Sequence, residues 1–442
     1  MILTLGLAIG AAWYWRTHRP TPVPPHPNTN WARDPATRVA DWRADIDALV
    51  RELAQRHRNA FFKVKRAELE TAAGELRTAV PRLTDHEVVV GLMKLVAMIG
   101  DAHTAISVGE LKPAFHSFPL RLYVFSDGPV IVGARESQKD LIGAALEQYA
   151  GVPVTDAFRR VMVASAYENE PTFIDQAPRL LRVPEIDEAV GLIPTTDKVS
   201  IVVRGGRGER GGRGEQGELG AQGEQGARRT AVLTPLDPGE QLASPVADAT
   251  KLPLSRQTRP HLNWYEALPD RKALYFRFDT CADEPDQSVA ALSDRMLKAI
   301  DAGQVERLIV DLRGNGGGDS GLIEPFIRDL ALRSTLKHPG GVIVLIGRYT
   351  FSSAHMNAVA FKQQLGAILM GEPTGQKPNA YGEVRWFVLP RSQIVVRYST
   401  KFWHTEPGDR PSLDPDVRVP VSSADWFAQR DPVLDAALGY KQ

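Results

Sequence analysis

Ser352 stands in the run Arg348-Tyr349-Thr350-Phe351-Ser352-Ser353-Ala354-His355, between an apolar stretch and a segment of helical pattern. A serine hydroxyl is a weak nucleophile until a base takes its proton. Lys377, at the end of Gly371-Glu372-Pro373-Thr374-Gly375-Gln376-Lys377, is a candidate base, because a lysine does this work once desolvation lowers its pKa towards neutrality. Arginine cannot, and the chain holds 14 Lys against 39 Arg, so a lysine at this place is mildly surprising by chance. A strand, a tight turn and a helix would set the hydroxyl at a helix N-terminus, whose free N–H groups can hold a developing oxyanion. The glycines of Arg313-Gly314-Asn315-Gly316-Gly317-Gly318-Asp319 let backbone approach backbone or substrate closely. The chemistry this set suggests is acyl transfer, with the N–H groups of Ser353 and Gly317 as the oxyanion donors and no metal. The plainer alternative is that Ser352 caps a helix and Lys377 is a solvated loop charge.

Three apolar runs must position these groups. Residues 308–312, 341–347 and 367–370 each read as a buried strand, and each breaks directly into one of the motifs above. A further strand at 273–278 and a helix at 289–300 precede them, and alternation of strand and helix predicts an α/β layered domain. Two more strands, 384–389 and 394–399, follow Lys377. Nearer the start, Val39, Trp42, Ile46, Leu49, Val50 and Leu53 recur at helical spacing. Thr84-Asp85-His86-Glu87 is a capping box that opens a helix through Leu92, Leu95 and Met98, ending at Gly100-Asp101-Ala102-His103-Thr104. A lone histidine such as His103 is usually structural. Residues 118–132 read as two strands about Ser126-Asp127-Gly128-Pro129, and 199–203 and 230–233 as a hairpin.

The segment 311–318, the serine-bearing turn and the Gly-Glu-Pro-Thr run resemble the tail-specific, or carboxyl-terminal processing, serine protease family and its relative the tricorn protease. The resemblance covers most of 308–442 well and the region before it more loosely. It implies that Ser352 is the nucleophile and Lys377 the base, although Gly375-Gln376-Lys377 is one residue longer than the family's Gly-Lys. Relatives with Phe-Ser-Ser-Ala often carry Gly-Asp-x-His-Thr, and the tricorn relative uses a histidine from its N-terminal part, so the resemblance also makes His103 a candidate base. The sequence does not separate the two, and the preferred arrangement is Ser/His supported by Lys377. The family's lysine-orienting glutamine is replaced by Tyr381, which leaves Glu383 or Glu406 as conceivable orienting carboxylates. The implied fold is a crotonase/Clp-like spiral catalytic domain with an N-terminal helical region and a small PDZ-like α/β subdomain, whose strand edge can receive an extended peptide. The implied divisions are 1–30, 31–110, 111–245 and 255–442.

With 53 basic and 53 acidic residues the chain has no net charge, which argues against a nucleic-acid partner. Cys281 is the sole cysteine, so there is no intrachain disulfide. Residues 1–15 are almost wholly apolar and precede a proline-rich spacer, which suggests a signal or short membrane anchor and an extracytoplasmic place, in the periplasm or cell envelope. Within 205–227, glycine recurs at every third position without proline, a collagen-like period in a mixed-charge loop. The expected function is a serine peptidase, endopeptidase or tail-specific, that cleaves polypeptides without a cofactor. Two alternatives are a noncatalytic binding protein on the same scaffold and an envelope structural protein that trimerises through the Gly-x-y segment.

Overall fold

The computed structural model describes residues 34–111, 114–206, 226–243, 245, 252–303 and 305–441. The apolar N-terminal stretch and nearly all of the Gly-x-y insert lie outside these residues. Among the described residues, no helix is long and apolar enough to cross a membrane.

Three helices come first: α1 (Pro35–Arg56), α2 (Arg66–Ala79) and α3 (Asp85–Ala97). Asp34 caps α1 by accepting the Ala36 N–H at 2.9 Å, with Pro35 in the first turn, where its missing donor costs nothing. The Thr84 capping box forms as the sequence predicts: Thr84 Oγ1 accepts the Glu87 N–H at 3.2 Å, and Glu87 accepts the Thr84 N–H at 2.7 Å. Trp42, Ile46, Leu49 and Leu53 of α1 are all fully buried, which is why their spacing is helical. Burying each such side chain contributes about 1.5–3 kcal/mol.

The first sheet holds β1 (Leu120–Phe125), β2 (Gly128–Ala134), β3 (Ala145–Tyr149), β4 (Val152–Pro153), β5 (Val199–Arg204) and β6 (Arg228–Leu233). Its order is β1-β2-β3-β5-β6, with β4 on β3, and every pairing is antiparallel. Between β4 and β5 the chain forms α4 (Val154–Val161), α5 (Glu170–Leu180) and α6 (Pro184–Ala189). Asn169 caps α5 and, through Nδ2, donates to the carbonyls of Thr374 at 3.0 Å and Pro411 at 2.8 Å. That cap therefore ties the first half of the chain to the loop that carries Lys377.

The second sheet runs β14-β11-β10-β9-β8-β7. It comprises β7 (Asn263–Leu268), β8 (Ala273–Phe278), β9 (Arg307–Asp311), β10 (Val342–Ile346), β11 (Ile368–Gly371) and β14 (Val417–Arg418). The pair β7–β8 is antiparallel and all the others are parallel. The parallel strands are joined by α7 (Val289–Ala302), α8 (Glu324–Leu330) and α9 (Ser353–Leu365), as crossovers between parallel strands require. β10 is buried at every position, because side chains cover both of its faces. Arg313, just past β9, bridges Asp311 at 2.6 Å and Asp431 at 2.8 Å. Asp431 is the N-cap of α11 (Pro432–Gly439), which follows the short α10 (Ser423–Phe427). Burial opposes the Asp431 charge, but the Arg313 guanidinium outweighs it and holds the carboxyl well below the usual range.

The last pair, β12 (Ala380–Val388) and β13 (Val395–Trp403), forms a hairpin of its own. Although it lies within 255–442, its Phe387, Leu389, Ile394, Val396 and Tyr398 belong to the core of the N-terminal helices and first sheet. Sequence order and packing part company here, and the hairpin brings the two halves together.

Candidate active site

Strand β10 ends at the turn that carries Ser352. Thr350 fixes that turn: its buried hydroxyl donates to the Leu312 carbonyl at 2.9 Å and accepts the Gly347 N–H at 3.0 Å. The Phe351 N–H then pairs with the Asn315 carbonyl at 3.2 Å, locking the turn to the glycine run. Ser352 itself has φ +53° and ψ −126°, a conformation that side chains with a Cβ rarely adopt. It precedes α9 but makes no side-chain capping bond, so its hydroxyl is not spent on the helix. Such strain, held by surrounding bonds, projects a side chain out of a turn.

Gly317 presses against this serine. A Cβ at Gly317, where φ is +114°, would lie 2.6 Å from Ser352 Cβ and 3.1 Å from the Ser353 nitrogen. Its N–H, however, donates to Asn315 Oδ1 at 2.8 Å, which corrects its reading as an oxyanion donor: Gly317 supplies close approach, and its donor is spent. The Ser352 N–H is likewise engaged, by Gln376 Oε1 at 2.6 Å. The Ser353 N–H, in the first turn of α9, has no acceptor within the helix.

The loop after α3 delivers His103. Asp101 organises it: Oδ1 accepts the His103 N–H at 2.9 Å, and Oδ2 accepts from Thr104 Oγ1 at 2.6 Å and Ser399 Oγ at 2.5 Å. His57 completes the set. Its Nδ1 accepts the Asn59 N–H, so its Nε2 carries the proton and donates to Asp101 Oδ2 at 3.1 Å. Burial works against a charge on Asp101, yet the His103 and His57 rings with the Ser399 hydroxyl win, and its carboxyl stays far below the usual range. The His103 ring packs on Phe351, centroids 4.4 Å apart, beside the residue next to Ser352. Its side chain is 6 % exposed, and both ring nitrogens are buried without a hydrogen-bond partner. Nδ1 lies 3.8 Å from Asp101 Oδ1.

Lys377 sits elsewhere in its chemistry. Its Nζ is 2.6 Å from Asp409 Oδ1. Its backbone N–H donates to Glu168 Oε2 at 3.3 Å. Burial pushes the Glu168 carboxyl up to about 7. Of the two conceivable orienting carboxylates, Glu383 is paired with Lys401 at 3.4 Å on the neighbouring strand, which corrects that reading. Glu406 lines a cavity of about 650 Å³ together with Glu168, Lys377 and Asp409, and its Oε2 is buried without a partner. Phe62, Tyr381 and Phe402 form an aromatic wall of the same cavity, with ring centroids 4.5 and 4.7 Å apart along the row. Tyr381 is therefore wall rather than an orienting group.

Asp101, His57, Glu168 and Gln376 were not singled out by sequence reasoning. Asp101 lies inside the Asp-x-His-Thr run and was within reach of it; Glu168 carries no local signal at all.

His355, in the first turn of the helix that Ser352 precedes, is fully buried, with Nδ1 3.1 Å from Thr374 Oγ1 and Nε2 without a hydrogen-bond partner. Burial pushes it down from 6.5 to about 4. A folded value below the unfolded one means that its contribution is fully present above about 6.5 and is lost as pH falls through about 4. Unfolding free energy is expected to drop by about 3 kcal/mol over that window. Urea titrations between pH 4 and 7 check this, and His355→Gln should flatten that part of the profile; an unchanged slope refutes the assignment.

No protein-family model matches the chain, and no curated protein does. Solved structures do. Mature CPAF matches at 14 % identity with a TM-score of 0.59, over 90 % of this chain and 96 % of that one. Mature CPAF complexed with lactacystin matches at 13 % and 0.59, over 90 % and 97 %. The tricorn protease matches at 15 % and 0.38, over 90 % of this chain and 36 % of that one. The chain thus shares, over nine-tenths of its length, the fold of mature CPAF.

Proposed function

We propose that this chain is a serine peptidase in which Ser352 is the nucleophile and His103 the general base. One observation carries the reading: a serine held at positive φ, with an uncapped hydroxyl, next to the Phe351 ring on which a buried histidine packs with neither nitrogen hydrogen-bonded. In the reaction, Ser352 Oγ attacks a peptide carbonyl and its proton passes to the His103 ring. The Ser353 N–H stabilises the oxyanion, a donor of a type that contributes about 3 kcal/mol to transition-state binding. The imidazolium returns the proton to the leaving amine, and water then repeats the sequence on the acyl-enzyme. Asp101 acts as a positioning residue, because its bond to the His103 N–H fixes the loop. The polypeptide would enter through the aromatic-walled cavity.

The test is labelling by a serine-reactive fluorophosphonate, read by peptide mass spectrometry. An adduct on Ser352, absent in Ser352→Ala and accompanied by peptide hydrolysis, is the expected result. No adduct and no hydrolysis from a folded protein would favour a noncatalytic binder on the same scaffold.

A further inference from the structure

The surroundings of His103 hold more donor atoms than hydrolysis uses. We propose that His103, Asp101 and Glu168 form a binding site for a divalent transition-metal ion, zinc foremost, and that the bound ion switches the peptidase off. The inhibitory part rests on the peptidase reading; the binding part does not.

One imidazole nitrogen and two carboxylate oxygens from these residues lie within 4.8 Å of one another. Second, and independently, the His103 side chain is 94 % buried, and neither nitrogen has a hydrogen-bond partner, Nδ1 standing 3.8 Å from Asp101 Oδ1. A buried imidazole left this way lacks a ligand for its lone pair. Asp101 is a rigid anchor, since Thr104, Ser399 and His57 hold its Oδ2 while Oδ1 faces His103 Nδ1 at 3.8 Å. Glu168 is the adjustable member, fixed through the Lys377 N–H at 3.3 Å and reaching the open cavity.

The donor set selects the ion. One nitrogen and two anionic oxygens leave a fourth position open, the pattern of zinc bound by three protein ligands, whereas calcium and magnesium demand six or more oxygens. Two carboxylates also balance the double charge. Bond lengths of about 2 Å to a tetrahedral ion put ligand atoms roughly 3.3 Å apart, so the group must draw in by no more than about 1.5 Å. Glu168 has the torsional freedom to do this. Any proton on its carboxyl is released as the ion binds.

Inhibition follows from the ring. An imidazole with a metal on Nδ1 keeps its proton on Nε2, so no lone pair remains to take the Ser352 proton. The same holds if the metal takes Nε2.

The experiment titrates the full chain with zinc by calorimetry and with cobalt by visible absorption, beside Glu168→Gln and His103→Asn, with folding checked by circular dichroism. Peptidase activity is followed in zinc, in zinc with EDTA, and in magnesium. The expected result is one zinc per chain with micromolar or tighter affinity, a four-coordinate cobalt spectrum, and affinity weakened at least tenfold in each variant. Activity should fall more than tenfold in zinc, return with EDTA and ignore magnesium. Equal zinc affinity in wild type and both variants overturns the site. Binding at the site without inhibition overturns the switch. If the protein hydrolyses nothing and is not labelled at Ser352, the calorimetry and the cobalt spectrum still decide the site, and only the peptidase reading falls.

Discussion

His103→Ala is expected to lower kcat/KM for peptide hydrolysis by about ten-thousand-fold, while Lys377→Ala lowers it by less than about tenfold. The contrast follows from the partners that each side chain already has. Lys377 Nζ is an ammonium held at 2.6 Å by the largely exposed Asp409, and its link to the site runs through its backbone N–H, which alanine retains. Ion pairs this exposed contribute little, about 0–1 kcal/mol, so the fold should tolerate the change. His103, by contrast, has no hydrogen bond at either ring nitrogen and packs on Phe351 in the serine turn. Steady-state kinetics on a quenched fluorescent peptide, with Ser352 labelling rates measured alongside, separates the cases. Equal losses in both variants would return Lys377 to the mechanism, and a loss confined to Lys377→Ala would remove His103 from it.

Gly318→Ala should destabilise the protein by more than about 3 kcal/mol and abolish activity with it. The backbone there has φ +138°, and an added Cβ would sit 2.2 Å from the carbonyl oxygen of Cys281. That carbonyl cannot retreat cheaply. It accepts the Asp319 N–H at 2.7 Å while the Cys281 N–H donates to the Gly317 carbonyl at 3.1 Å, so moving it breaks the bridge that shapes the loop against Ser352. The control is Gly74→Ala in the middle of α2, where an added Cβ meets nothing within 4 Å. There the only change is backbone entropy, and stability should rise by about 0.5–1 kcal/mol. Chemical denaturation of both variants settles the matter; a Gly318→Ala protein as stable as wild type would show that the loop is not rigid.

What could be read in the sequence was local. The Thr84 box, the strands around the glycine run and the turn bearing Ser352 each depend on neighbours within a few residues, so composition and spacing reveal them. The placement of Lys377 has an equally local cause. With one residue more than the family's motif, Gln376 takes the inward place and accepts the Ser352 N–H, and Lys377 turns out to Asp409. The Asp101 hub was not legible, since His57, Thr104 and Ser399 meet only when the β12–β13 hairpin packs on the N-terminal core. Glu168 lies on the approach to α5, and nothing in its surroundings betrays that it ends beside His103.

The bond from Ser399 to Asp101 joins residues 298 positions apart. A ribosome therefore releases the loop bearing His103 long before the strand that fastens it, and Ser352 emerges in between. Until β13 has been made and docked, the nascent chain carries Ser352 and the His103 loop without the Ser399 hydroxyl that fastens Asp101. Completion of the hairpin is the event that closes this clamp.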